Sequence, residues 1–323
     1  MPDINTLFYM KPIHPTNLSI SPQTQHDLES SRQRIPRYLF RASSDASGGG
    51  EAGLNDAAGV VPHAFLGDSN GHDTIYTIPS LSSMTKSHLK GDKSIRSEFS
   101  SWGASILMVL ALCHGMTKEK QGDVCFAVLD VKLLPDPIAV YHALALYYAG
   151  LSLYPYDHEY LVHGEIEGSF YTCVKFLDLV NSGLYDFFPE LRKSDFWGLE
   201  LRHEQWKTTY PLTDDDLGLA TKLIDVFGRH SCLDLKGPLL LALLTIRPRV
   251  WVNNATEPGT SDFDRIVVKL VQLNFSSASA RQLRLDTTGV YTGSYFEIRQ
   301  MLELNDLIVE RLLVAESMEN TGA

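Results

Sequence analysis

Hydrophobic positions mix short strand-like runs with helical stretches up to about residue 180, and helical stripes dominate beyond it. Residues 1–34 are polar, carry several prolines and keep no sustained period, which predicts an extended or disordered arm. Tyr38-Leu39-Phe40, inside RYLF at 37–40, reads as a short strand, and the Gly, Ser, Ala and Asn-rich stretch at 43–59 as a long mobile loop. FSSWGASILMVLALCH at 99–114 passes from small residues into an apolar helix closed by Gly115. VCFAVLD at 124–130 predicts a central strand, and IAVYHALALYYAG at 138–150 a helix with Gly150 as its C-cap. EYLVHGEIEGSFYTCVKF at 159–176 predicts two strands, or a bent one, broken near Gly164.

Past residue 180 the helical period takes over. Thr213 caps a helix whose first turn is Asp214, Asp215 and Asp216 and whose apolar stripe is Leu217, Ala220, Ile224 and Phe227. Pro238 opens the next helix and Pro248 stops it, with LLLALLTI at 239–246 buried between them. A last helix from about Tyr295 to Ala315 turns Ile298, Met301, Leu302, Leu307, Ile308 and Leu312 to one side. The pattern is α+β, in three parts: an arm at 1–35, a core at 36–180, and a helical extension at 181–323. No polar linker divides the last two, and an aromatic group including Tyr185, Phe187, Phe188, Phe196 and Trp197 needs a surface to cover it.

Composition narrows the function classes. The 323 residues are 44% apolar and 21% charged, enough to build a sizeable core. A net charge of -11 argues against bulk affinity for nucleic acid. Cys113, Cys125, Cys173 and Cys232 form no C-x-x-C pair, so zinc ribbons and redox motifs are excluded and a cytoplasmic location is expected. The N-terminal stretch lacks the pattern of a secretion signal, and no apolar run approaches the ~20 residues of a membrane span. There is no Walker loop, dinucleotide-binding glycine fingerprint, H-E-x-x-H helix or G-x-S-x-G elbow. His158 and His163 lie on opposite strand faces, and no metal site is expected.

What remains is an ordered set: Arg41 ending the strand of RYLFR, a serine pair in Phe99-Ser100-Ser101-Trp102, and Glu159 opening EYLVHG. These motifs, over residues 36–176, resemble the Arg-Ser-Glu class of ADP-ribosyltransferases, the cholera-toxin and pierisin-like branch. They are also similar to an uncharacterised fungal family sharing the same three blocks. The resemblance implies a split β-sheet core with NAD as substrate. It assigns Glu159, Ser100 and Arg41 to catalysis, and Arg41, Ser100, Ser101 and Phe99 to the cofactor. Tyr154, Tyr156 and Asp157 fall in the loop that meets the acceptor, which is a protein, a small molecule or water. Chemically, a carboxylate beside the ribose stabilises the positive charge that develops as the nicotinamide bond breaks, and a guanidinium suits a pyrophosphate. Ser100 would hold the ribose and orient Glu159.

Other readings compete. Arg41 could pair with a surface carboxylate, Ser100 and Ser101 could be an N-cap, and Glu165 or Glu167 could be the relevant acid if the strand register shifts. The tryptophan in place of a hydroxyl residue and the short Asp157 fit a divergent enzyme. They also fit a catalytically silent module of the same fold that binds a partner.

Overall fold

The computed structural model describes residues 23, 26, 35–47, 55–65, 81–92, 97–135, 138–193, 201, 208–228, 235–252, 261–287 and 295–321. Nearly all of the expected arm and the middle of the 43–59 loop lie outside these residues, as do Cys232, Phe196, Trp197 and Trp206.

The first half alternates strands and short helices: β1 (Tyr38–Ser43), β2 (Gly59–Val60), α1 (Leu81–Lys90), β3 (Phe99–Gly103), α2 (Ile106–Lys118), β4 (Cys125–Asp130), β5 (Ala139–His142), α3 (Ala143–Tyr148), β6 (Glu159–His163), β7 (Ile166–Glu167) and β8 (Tyr171–Lys175). Helices then dominate: α4 (Phe176–Asn181), α5 (Leu184–Phe187), a two-residue β9 (Tyr210–Pro211), α6 (Asp214–Gly228), α7 (Lys236–Leu244), a two-residue β10 (Arg249–Val250), α8 (Asp262–Gln272), α9 (Ser277–Thr287) and α10 (Phe296–Thr321). The protein is α+β. Among the described residues no helix is long and apolar enough to cross a membrane.

Six strands form one sheet in the order β5-β6-β3-β1-β4-β8, and each of its pairings is antiparallel. The joints differ in strength. β1 pairs with β4 along its whole length, from Tyr38↔Asp130 to Ser43↔Cys125, and β3 pairs with β6 from Phe99↔His163 to Gly103↔Glu159. Between β1 and β3 only Phe40↔Gly103 meet. The sheet is therefore continuous but narrows to a seam at its centre.

Strand alternation sorts the core. Phe40, Phe126 and Val128 enter the largest apolar cluster, while their neighbours Leu39, Ala127 and Leu129 enter a second one on the opposite face. Being covered on both sides is what the unbroken apolar run of β4 requires. The largest cluster continues without interruption into α2 and the C-terminal helices, where Phe126 meets Phe227 edge to face at 5.7 Å between ring centroids. Tyr185 packs against this cluster, and Phe187 and Phe188 are buried inside it.

Several local expectations are corrected. Residues 99–103 form a strand, and the helix begins only at Ile106, capped by Ser105, whose Oγ accepts from Met108 N at 3.1 Å. Ser100 and Ser101 are thus not its N-cap. The helix expected over 138–150 divides: Ala139–His142 pairs with β6, and only Ala143–Tyr148 is helical. An edge strand beside β6 offered more hydrogen bonds and burial than one further helical turn. In α10, which runs on to Thr321, Ile298, Leu304, Ile308 and Leu312 are buried, while Leu307 is turned outward at 43% exposure.

Candidate active site

Polar side chains gather at the seam and are largely buried there. Arg41 lies near the end of β1, just past the single β1–β3 pair, so its guanidinium spans the gap. Its Nη1 donates to the Ser101 carbonyl at 2.7 Å and its Nη2 reaches Asn55 Oδ1 at 3.4 Å. Its buried Nε has no hydrogen-bond partner among the described residues. Among the described residues Arg41 makes no surface ion pair, the alternative reading of this position; its hydrogen bonds go to Ser101 and Asn55.

Across the seam, Gly103↔Glu159 and Ser101↔Leu161 are register partners, which puts Ser101 and Glu159 on one face of the β3–β6 pair. Ser101 Oγ donates to Glu159 Oε1 at 2.5 Å. On the far side, Ser101 Oγ lies 2.9 Å from His88 Nε2 on α1. An ionised Glu159 only accepts, so it takes the serine's one proton, and Ser101 Oγ then accepts from the Nε2–H tautomer of His88. The three side chains form a directed chain from His88 through Ser101 to Glu159.

Ser100 does not join them. As the neighbour of Ser101 on a strand it faces the other way, is 3% exposed, accepts from Trp102 Nε1 at 2.9 Å and donates to Val162 O at 3.4 Å. The serine whose side chain reaches Glu159 is Ser101, not the expected Ser100. Phe99 is buried among the rings of His88, Tyr141 and His163. Glu165 and Glu167 are exposed and, like Glu159, do not line the cleft at Ser101; Glu159 is the one hydrogen-bonded to Ser101.

That cleft has a volume of about 280 Å³, close to the lower end of the range for small-molecule sites. Arg41, Phe99, Ser100 and Ser101, the four residues expected at the cofactor, all contribute to its wall, with Asn55, His63, His88 and Asp92. Burial shapes the electrostatics around Ser101. It raises the Glu159 carboxyl above the usual carboxylate range, with the Ser101 hydrogen bond and the charge of Arg41 opposing it. It also lowers His88 to about 4, with help from the positive Arg41, so the imidazole is neutral at neutral pH. Burial lowers Arg41 from the usual guanidinium value, against the influence of Tyr171 and Glu159.

The loop before β6 carries the remaining expected residues. Tyr154 and Tyr156 stack with centroids 5.5 Å apart and planes 8° from parallel, partly buried against the apolar cluster of α1, α3 and Phe99. Asp157 is engaged: its Oδ1 accepts from Tyr295 Oη at 3.2 Å and lies 3.3 Å from His158 Nδ1. The residues that motif reading misses are His88, Asn55 and Tyr295. No spacing rule links a histidine on a short helix to a serine thirteen positions later, so only the fold brings them together.

Comparison with known proteins adds one finding. Residues 34–174, the stretch from just before β1 almost to the end of β8, match a family model described as a domain of unknown function (DUF7587). No curated protein and no solved structure gives a significant match.

Proposed function

We propose that the protein cleaves the nicotinamide–ribose bond of NAD, passing ADP-ribose to an acceptor or to water, on a core of the ADP-ribosyltransferase type. The observation that carries this reading is the convergence of Arg41, Ser101 and Glu159 at the seam of the sheet, three residue types in the strand settings that the chemistry needs. A sheet that narrows to one residue pair between β1 and β3 supports the comparison with a split-sheet core. Arg41 retains donor capacity, its Nε unpartnered among the described residues and its Nη2 only weakly held, which suits a phosphate oxygen. Glu159, ionised and held by Ser101, would face the positive charge growing on the ribose. The nucleophile's oxygen bonds to the anomeric carbon, the carbon–nitrogen bond breaks with its electron pair leaving on nicotinamide, and the nucleophile's proton passes to Glu159.

Incubation of the purified protein with NAD is expected to release nicotinamide, and Glu159→Gln to lower the release by at least ~100-fold. Equal inertness of wild type and variant across water, protein and small-molecule acceptors would remove the catalytic reading. A second reading, a silent binding module, draws on Trp102: its buried indole donates to Ser100, so the position is filled by a ring where a hydroxyl residue was expected, and the Ser100 hydroxyl is already engaged. Calorimetry separates the two. Micromolar NAD binding lost in Arg41→Ala supports a working cleft, and its absence supports silence.

A further inference from the structure

The start of α10, with Tyr295 just before it, lies far outside the stretch matched by the family model, yet it touches both chain segments that flank the Ser101–Glu159 pair. On one side, Tyr295 is 2% exposed, and its hydroxyl crosses 138 positions of sequence to donate to Asp157, two residues before Glu159. Its ring lies 6.3 Å from that of His158, which shares the same carboxylate oxygen. On the other side, Tyr295 and Ile298 pack on Ala104, directly after β3, and Glu297 accepts from the hydroxyl of Ser105. The Asp157 backbone is pinned independently, its carbonyl lying 3.0 Å from Nε2 of His142, which stacks on Tyr160 of β6. Segments that end at Gly103 and begin at Glu159 are register partners. Whatever grips both their flanks sets where Glu159 sits against Ser101.

We infer that Tyr295 is a positioning residue: through Asp157 it anchors the loop at 151–158, so the helical extension is a working part of the site and not only its support. The effect on catalysis rests on the function proposed above; the anchoring does not. A phenol–carboxylate hydrogen bond is worth most where, as here, the donor is sealed from water and the acceptor is carried on a loop with no ladder hydrogen bonds of its own. Removing it should leave the fold intact and free the loop.

Hydrogen exchange followed by mass spectrometry on the full chain tests this without reference to turnover. Tyr295→Phe, which keeps the ring and its packing, is expected to speed exchange in peptides covering 151–158 by about 2- to 10-fold, the range open when one net hydrogen bond is lost, while peptides of α2 and β4 keep their protection. Asp157→Ala should do the same, the double variant should add nothing, and Asp157→Asn, whose amide oxygen still accepts, should stay near wild type. Unchanged exchange at 151–158 in Tyr295→Phe and Asp157→Ala would overturn the inference, as would uniform acceleration along the whole chain. If nicotinamide is released, Tyr295→Phe should lower the maximal rate at saturating NAD several-fold with little change in NAD affinity. If the wild type releases none, the function reading falls while the exchange experiment still decides the anchor.

Discussion

Glu159 is held by opposing influences, and each can be altered singly. Burial favours its neutral form, whereas Ser101 and Arg41 favour the carboxylate. The net shift is upward, so any activity needing the carboxylate should show an acid limb above the ordinary carboxylate range, measurable as rate against pH. The linkage sign follows. Unfolded Glu159 ionises at its ordinary value and folded Glu159 later, so its contribution to stability is greatest below the unfolded value and falls as pH rises through the folded one. Glu159→Gln removes that penalty, and its melting temperature at pH 7 should equal or exceed that of wild type; a clear decrease would contradict this balance. His88 acts on the same carboxylate from one bond further away. His88→Phe leaves Ser101 Oγ without its donor and should move the Glu159 midpoint further up, read by carboxyl carbon NMR, while His88→Gln, with an amide donor near the Nε2 position, should restore it in part.

At the level of elements, α6 begins where charge and hydrogen bonding agree. Thr213 Oγ1 accepts from Asp216 N and Asp216 Oδ2 accepts from Thr213 N, both at 3.0 Å, a reciprocal cap. The aspartate triplet also suits the positive end of the helix. Asp216 does more than cap: it bonds the buried Arg249 at 2.9 Å, which ties α6 to β10, and it lies 3.9 Å from Arg247. Burial opposes its charge, but the bond and charge of Arg249 and the Thr213 cap outweigh it, leaving its pKa below the usual value. Asp216→Asn leaves Arg249 buried beside a neutral group and should cost about 2–4 kcal/mol in urea unfolding. The pH dependence runs opposite to that of Glu159. A depressed carboxyl contributes fully above its unfolded value and loses that contribution as pH falls through the folded one, so the Asn variant should differ least from wild type in acid.

Across the whole molecule, the two halves share one apolar cluster, with Phe40, Phe126 and Val128 of the sheet covered by α2 and by Phe227, Leu239 and Leu243 of the extension. A fragment of residues 36–180 would expose that part of the sheet face which α6 and α7 cover, and it should aggregate or melt without a cooperative transition. A soluble fragment melting near the temperature of the whole chain would contradict the shared core. Phe227→Ala in the full chain removes the ring facing Phe126 and should destabilise by about 3–5 kcal/mol, read in chemical denaturation.

The linear pattern by itself determined the α+β class, the strands around Leu39 and Val128, the stripe of α6 and the apolar burial of α7, because period and capping are local properties that survive any tertiary arrangement. It also marked out Arg41, the serine pair and Glu159 as candidates. Tertiary structure alone decided which serine meets the glutamate, since one residue of strand register exchanges Ser100 for Ser101 and turns the hydroxyl of one toward Trp102 and that of the other toward Glu159. It likewise recruited 139–142 into the sheet edge and brought in His88 from α1 and Tyr295 from just before α10, with no motif to announce either. Long-range pairing is invisible to a local period: a hydrogen bond spanning 138 positions depends on how sheet and helices pack, and no window of the sequence contains both of its ends.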